Sequence, residues 1–379
     1  MADISYVKRK IGQSYLVWFQ NSNLYVQLEE PAWFVFRKLI KRYKVETIAT
    51  EFSHRYCLGF EESIAFVKDI RLKIEEMNKP DDLDENFGKT LDNFSKYNFT
   101  PYSIYRYHMG TKVIRFSYGT DWLEKYIHPL IDHLETSEEI NEIPLFELFA
   151  YHDSVVFRFN NEVKGIWGKD ESHLVKGKVF LELINVLHNK TDADWLMTVH
   201  ASAITNGRKT ILFSAAPGSG KTTIAALLQA QGYKLISDDF VPFDKYSFNA
   251  FPFPVAMSVK EGSMDVLTSH YPDLGKKPLN YITPEKNVRY LPVENEMMKM
   301  IFPVQEIIFI KYDKKVDFKC VKLEPIQAFK QLLDQIWVPP NSANVDILLS
   351  RIPQISFYQL TYSNNAKALD TITQLFEHD

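Results

Sequence analysis

Apolar and polar positions along this chain change their period several times, and each change marks an element. Ser14 to Phe19 and Asn23 to Leu28 have the aromatic and β-branched density of short strands on either side of Gln20-Asn21-Ser22, which predicts a hairpin. From Ala32 the apolar positions Phe36, Leu39 and Ile40 take helical spacing. Two more helices are expected, over Val45 to Tyr56 and over Glu61 to Met77, the second with Ile64, Val67, Ile70 and Ile74 on one face. Lys79 to Ser95 is rich in Asp, Asn and Lys and reads as a linker.

Strand character returns at Tyr102 to Tyr107, Lys112 to Tyr118, Glu147 to His152 and Ser154 to Phe159, where Phe, Tyr and Val suit a half-buried sheet. A helical segment, Trp122 to Leu134, lies between them, and a longer helix runs from about Leu174 to Leu187. Further along, Phe240 to Phe248 predicts a hairpin around Asp244 and Lys245. Phe251-Pro252-Phe253-Pro254 predicts a shaped loop, because two prolines so close bar a regular central strand. Val255 to Lys260 is a strand again. Residues 263 to 300 are polar and poorly periodic, and read as a long binding loop or lid. Ile307 to Ile310 is a buried strand, Gln327 to Leu333 a helix, Ile355 to Leu360 a late strand and Ala366 to Phe376 the closing helix. Strands and helices in alternation argue for a mixed α/β core.

The chemistry concentrates between Val199 and Phe243. An apolar strand, Thr210 to Phe213, enters a loop of small residues, Ser214 to Gly220, and leaves it as a helix that starts near Lys221 and turns Ile224, Leu227 and Leu228 inward. Phosphate oxygens must come close to backbone N–H groups, which a loop without bulky side chains permits. The helix N-terminus adds partial positive charge. The run Ala215-Ala216-Pro217-Gly218-Ser219-Gly220-Lys221-Thr222 departs from G-x-x-x-x-G-K-[ST] only in carrying Ala215 at the first position. Lys221 is placed to reach phosphate and the Thr222 hydroxyl to ligate Mg²⁺. Gly232 is a stop for the helix, and the short strand Tyr233 to Ser237 ends in the acid pair Asp238 and Asp239. His200 closes another apolar run, Leu196 to Val199. Ligand groups collect at strand ends in open α/β sheets, so His200, Lys221 and the acid pair are expected around one phosphate.

From His200 through Asp239 the chain resembles the catalytic domain of the HPr kinase/phosphorylase family. Those proteins carry a Val-His pair, a strand and P-loop, and then a strand ending in two aspartates; Val199-His200, Gly218 to Thr222 and Gly232 to Asp239 match in order and spacing. The resemblance covers the second half of the chain. It implies a P-loop-containing mixed sheet core of the HPr kinase C-terminal type, binding ATP through Ala215 to Thr223. It also implies that Asp238 handles the proton of an acceptor hydroxyl with His200 beside it, while Lys221 binds phosphate and Thr222 holds Mg²⁺ together with Asp239. Lys260-Glu261-Gly262 resembles a turn of the same group, which makes Lys260 a phosphate clamp; Arg289 is a second clamp candidate. Thr223 stands where HPr kinases proper have Glu, and the family's later glycine-rich segment tied to dephosphorylation is missing. A kinase with another acceptor is therefore expected.

The first 80 residues resemble PqqD-like domains, the peptide-recognition modules of pathways that modify ribosomally made peptides. Leu28-Glu29-Glu30-Pro31-Ala32-Trp33, Thr47-Ile48-Ala49 and the Val67 to Ile74 stripe carry that likeness. It implies a small winged-helix-like α+β domain whose exposed hairpin edge takes a peptide as an added strand. A generic winged-helix or dimerisation unit is the other reading. The expected organisation is thus 1–80 for recognition, 81–99 as linker, 100–195 as a β-rich lobe leading into the catalytic domain, and 196–379 as the nucleotide-binding domain.

At 379 residues there is chain enough for several cores. The net charge of −4 offers no broad field for nucleic acid, so phosphate must be bound by a local site. Two distant cysteines, Cys57 and Cys320, suit a reducing compartment. The opening residues lack the apolar core of a signal peptide, and no apolar run reaches the length of a membrane span. A cytoplasmic protein with neither nucleic-acid nor membrane partners is expected; an oligomer is left open. The leading functional expectation is an ATP- and Mg²⁺-dependent phosphotransferase acting on a hydroxyl of a peptide or protein, a precursor peptide in particular. The alternatives are a nucleotide-binding recognition scaffold without catalysis, and an ATPase of transporter or motor type, for which the Leu-Ser-Gly-Gly signature is lacking.

Overall fold

The computed structural model describes residues 4–80, 94, 97–140, 143–283, 286–293 and 302–377. The chain is mixed α/β and divides into two compact units. The first comprises residues 1–84, 324–330 and 338–355; the second comprises 85–323, 331–337 and 356–379. The stretch 196–379 therefore does not fold as one continuous piece. Most of the expected linker lies outside the described residues.

In the first unit the helices Glu30–Ile40, Val45–Tyr56 and Phe60–Met77 follow the apolar spacing closely. They bury Phe34, Phe36, Ile48, Phe52, Val67 and Ile74 in one core with Val17 and Phe19 from the sheet. The expected hairpin is a three-stranded antiparallel sheet: Tyr6–Ile11 pairs with Ser14–Phe19, which pairs with Leu24–Leu28. The pattern hid the first strand because Lys8, Arg9 and Lys10 run consecutively through it and break the alternation. The helix Ser342–Arg351, also unforeseen, packs on that strand, and Arg9 pairs with Asp346 at 3.0 Å.

The second unit holds the remaining sheets. Among its described residues a five-stranded sheet runs Ser103–Met109, Lys112–Tyr118, Leu145–Tyr151, Ser154–Phe159, Glu162–Gly168. The last of these strands was not expected, since Gly165 and Gly168 dilute its pattern. The expected helix Trp122 to Leu134 ends at Ile127 and continues as two 3₁₀ turns. Pro129 has no N–H to give and restrains His128. Helix Ser172–His188 lies on this sheet, and its core is continuous with Trp195, Phe253, Val288 and Tyr290.

A ten-stranded sheet carries the acid pair and the small-residue loop. Its main path is Lys234–Ser237, Ala201–Thr205, Thr210–Ser214, Phe302–Tyr312, Asn249–Ala250, Val241–Asp244, Trp195–Val199, Ile336–Trp337. Ser356–Tyr362 runs parallel to Phe302–Tyr312 and pairs on its far side with Phe318–Leu323, another strand the pattern did not reveal. Residues 263–283 and 286–293 are not an unstructured loop. Strands Asn280–Thr283 and Lys286–Leu291 form a small sheet with Met257–Lys260, and a short helix, Met264–Leu267, precedes them. Residues 294–300 of the expected lid lie outside the described residues. Among the described residues, no helix is long and apolar enough to cross a membrane.

Candidate functional site

Strand Thr210–Ser214 is buried along its whole length and ends where the loop begins. Gly218 and Gly220 both have left-handed backbone, φ 90° and 93°. A Cβ on Gly220 would lie 2.9 Å from the Tyr362 hydroxyl, so glycine is required there twice over. The loop is braced from the neighbouring strand: Tyr312 N–H donates to the Ser219 carbonyl at 2.9 Å. Helix Lys221–Ala230 follows, with Ile224, Ala225, Leu227 and Leu228 buried; its N-cap, Gly220, offers no side chain to the first helical amides. Those amides have no intrahelical acceptor, and they open at the C-terminal end of the strand. Ala215 is buried, and its methyl is accommodated at the position where the motif has glycine.

The two aspartates at 238 and 239 go to different partners. Asp238 is 3% exposed. It accepts a hydrogen bond from Thr222 Oγ1 at 3.1 Å and a shorter one from Ser202. Burial raises its pKa to about 6, helped by the adjacent Asp239 charge and opposed by Lys221 and the two hydroxyls. The Asp239 side chain is 45% exposed. Lys221 Nζ lies 2.7 Å, and His200 Nε2 3.2 Å, from the same oxygen, Oδ1. Desolvation works against ionising Asp239, but the Lys221 charge and the bonds from His200 and Lys221 prevail and hold its carboxyl well below the usual range. Asp239 also has left-handed backbone, φ 65°, which separates its direction from that of Asp238.

His200, Lys221, Thr222, Asp238 and Asp239 therefore meet, with two corrections to the expected pairing. His200 stands beside Asp239, not beside Asp238, and Thr222 stands beside Asp238, not Asp239. The reason is geometric: the strand ends at Ser237, and the left-handed turn at Asp239 sends its side chain away from that of Asp238, toward His200.

Lys260 belongs to the same neighbourhood. Its Nζ lies 3.7 Å from where a Cβ on Gly218 would be. The turn Glu261–Ser263 that follows it is tied to the helix by Thr223 Oγ1 and Ser263 Oγ, 2.6 Å apart, so the Thr223 side chain serves as a tether. Arg289 sits opposite Val259 on the paired strand; its guanidinium is committed to the Glu261 carboxylate and the Lys277 carbonyl. It braces the turn that carries Lys260.

Ser202, Gln335, Tyr362 and Tyr290 were not foreseen. Ser202 is one small polar residue inside an apolar strand, and Gln335 is far from the motif in sequence. Tyr290 is buried within reach of the Asp239 charge, and burial above all keeps its hydroxyl protonated. A surface recess of about 540 Å³ lies at the opposite end of strand Thr210–Ser214 among Asn206, Arg208 and Lys209, and contains none of these groups.

The donor set suits an anion and a hard cation. Lys221, Lys260 and the first helical amides supply positive charge and N–H donors. Thr222 and Asp238 supply two adjacent oxygens. Among the described residues no group of three or more His, Cys, Asp or Glu could enclose a metal ion. Mg²⁺ needs no such cage, because it takes one or two protein oxygens and completes its shell with water and phosphate. The sequence matches no protein-family model and no curated protein.

Proposed function

We propose that the protein is an ATP- and Mg²⁺-dependent phosphotransferase, of the HPr kinase-like type, that moves the γ-phosphate to a Ser or Thr hydroxyl of a peptide or protein. The observation that carries this reading is the meeting of Lys221 and Thr222, at the mouth of the glycine loop, with Asp239, Asp238 and His200 within hydrogen-bond distance. Phosphoryl transfer asks for positioning and charge neutralisation more than for covalent chemistry, and these side chains supply both.

The loop amides and Lys221 hold the phosphates, and Lys260 adds charge on the Gly218 side. Thr222 and Asp238 would hold Mg²⁺, which screens phosphate charge when bound. Asp239 is the group that receives the acceptor proton. It is exposed where Asp238 is buried, and Asp238 already has its two oxygens on hydroxyls. An arriving phosphate competes for Lys221, which relieves Asp239 of a cation and makes it a better base. His200 stays to orient it.

The first unit is read as the module that presents the acceptor. Its strand Leu24–Leu28 is paired on one side only among the described residues, and a peptide in extended form would add there.

Transfer from γ-labelled ATP with Mg²⁺ to a pool of peptides encoded beside the gene tests the reading. Label on Ser or Thr with the wild type, lost in both Lys221→Met and Asp239→Asn, is the expected result. ATP bound without transfer or hydrolysis would overturn it in favour of a recognition scaffold.

A further inference from the structure

We propose that Tyr312 is the platform on which the base of the nucleotide stacks, so that the site selects a nucleoside triphosphate over a bare phosphate chain. This deepens the phosphotransfer reading above and rests on its glycine loop holding phosphate.

The strand order divides the surroundings of the loop in two. On one side of Thr210–Ser214 lie Ala201–Thr205 and then Lys234–Ser237, which lead to His200 and the acid pair. On the other side lie Phe302–Tyr312 and then Ser356–Tyr362, each parallel to its neighbour, so all three strands end at the level of the loop. A nucleoside triphosphate has two ends. Its γ-phosphate is the end that the acids handle, and its base is carried by the ribose at the far end of the phosphate chain. With the γ-phosphate turned toward Asp238 and Asp239, the base leaves toward the second side.

Tyr312 stands on that side, as the last residue of its strand. Its backbone is tied to the loop through the Ser219 carbonyl, and the next residue, Asp313, donates its N–H to the Tyr362 carbonyl at 2.9 Å. The Tyr312 Cβ lies 3.4 Å from where a Cβ on Gly220 would be. The backbone therefore fixes the root of the side chain at the rim of the loop. The rings of Tyr312 and Tyr362 meet edge to face, with centroids 5.7 Å apart and planes at 80°. Tyr362 is 1% exposed, whereas Tyr312 is 43% exposed. Whichever ring offers its edge, a perpendicular contact leaves a face of Tyr312 uncovered by its partner. An exposed aromatic on its own needs no explanation. One that is bonded through its backbone to a glycine loop, and braced by a buried ring, is a rigid flat surface beside it. The polar group next to the ring is already matched: the Asp313 carboxylate accepts the Lys315 N–H at 3.0 Å and lies 3.5 Å from Lys311 Nζ. The ring face is what remains open, and it suits a flat aromatic base.

Calorimetric titration of the full chain with Mg²⁺ tests this, using the β,γ-imido analogue of ATP in one arm and inorganic tripolyphosphate in the other. The wild type should bind the analogue more tightly than tripolyphosphate. Tyr312→Ala should weaken the analogue about 5- to 100-fold and tripolyphosphate less than about twofold, while Tyr312→Phe, which keeps the ring face, should stay within about twofold of the wild type for both. Tyr312→Leu keeps apolar bulk against Tyr362 and should behave as Tyr312→Ala does, which covers the case in which the alanine variant does not fold. Equal weakening of both ligands would mean that the loop has been disturbed and overturns the proposal, as does an unchanged affinity for the analogue in a folded Tyr312→Ala. Tripolyphosphate bound as tightly as the analogue by the wild type also overturns it, and leaves the phosphate loop standing. A wild type that binds neither ligand removes the phosphate loop and the base platform together.

Discussion

Thr222 and Asp238, sixteen residues apart in sequence, share a hydrogen bond of 3.1 Å at the mouth of the glycine loop, while the next aspartate is bonded to Lys221 and His200. The acid pair is therefore two separate devices: one buried carboxyl on hydroxyls, and one exposed carboxylate on Lys221 and His200.

Their pH responses should run in opposite directions. The folded pKa of Asp238, about 6, exceeds the unfolded 3.8, so the folded state binds that proton more tightly. Its contribution to stability is present below about pH 4 and is lost as pH rises through 6. Asp239 is depressed, so its contribution is present above 3.8 and is lost as pH falls toward its folded value. Thermal melts of Asp238→Asn and Asp239→Asn against the wild type, across acid to neutral pH, separate the two. Asp238→Asn should equal or exceed the wild type above pH 6. Asp239→Asn should fall below it there by about 1–2 kcal/mol, since Lys221 is left buried without its anion. Transfer activity should rise with pH across about 6 as Asp238 ionises and becomes a metal ligand. A profile flat through that range would remove Asp238 from the metal site.

Gly220→Ala should abolish nucleotide binding and cost about 1–2 kcal/mol of stability from backbone strain alone. The added methyl also meets the Tyr362 hydroxyl. Placing Gly220→Ala in a Tyr362→Phe background should recover part of the stability. Chemical denaturation and nucleotide titration of the three variants check this, and a wild-type affinity in Gly220→Ala would show that the loop does not approach phosphate closely.

Lys260→Met and Arg289→Met should differ in kind. Lys260 reaches the loop beside Gly218, and losing its charge should reduce kcat/KM about 10- to 100-fold. Arg289 acts through Glu261, so its loss should loosen the turn and cost less than about tenfold. Steady-state kinetics on both variants decide; equal losses would mean that Arg289 contacts phosphate itself.

In the five-stranded sheet Arg158 and Glu147 form a buried two-point pair, 2.6 and 2.9 Å, and Arg158 also donates to the Phe94 and Tyr97 carbonyls. Removing one partner strands the other charge, so Glu147→Gln or Arg158→Met should cost about 3–5 kcal/mol. The double replacement by apolar residues should recover part of that. Calorimetry on the single and double variants measures the difference.

Periodicity was legible in the sequence wherever one element carries its own signal. The helices Val45–Tyr56, Phe60–Met77 and Asn365–Glu377 follow from apolar spacing, because a helix buries one stripe of its own residues. Gly218, Gly220, Lys221 and Thr222 were legible too, since a tight loop followed by a helix is local chemistry. Strand Tyr6–Ile11 was not, because its stability comes from Ser14–Phe19 and from a helix more than three hundred residues away in sequence. Strand Phe318–Leu323 likewise depends on Ser356–Tyr362, which the chain reaches only after passing through the first unit.

The sequence by itself determined that a phosphate-sized anion could be met by a lysine, a hydroxyl and two acids at strand ends. The pairing expected from the resemblance, His200 with Asp238 and Thr222 with Asp239, came out reversed, because Asp238 and Asp239 are the same residue type side by side. Tertiary structure decided it through a left-handed turn at Asp239 and through Ser202 from the adjacent strand, which holds Asp238. A side chain's direction, and so its charge state, depends on which neighbours remain after the sheet has closed, and those neighbours are distant in the chain.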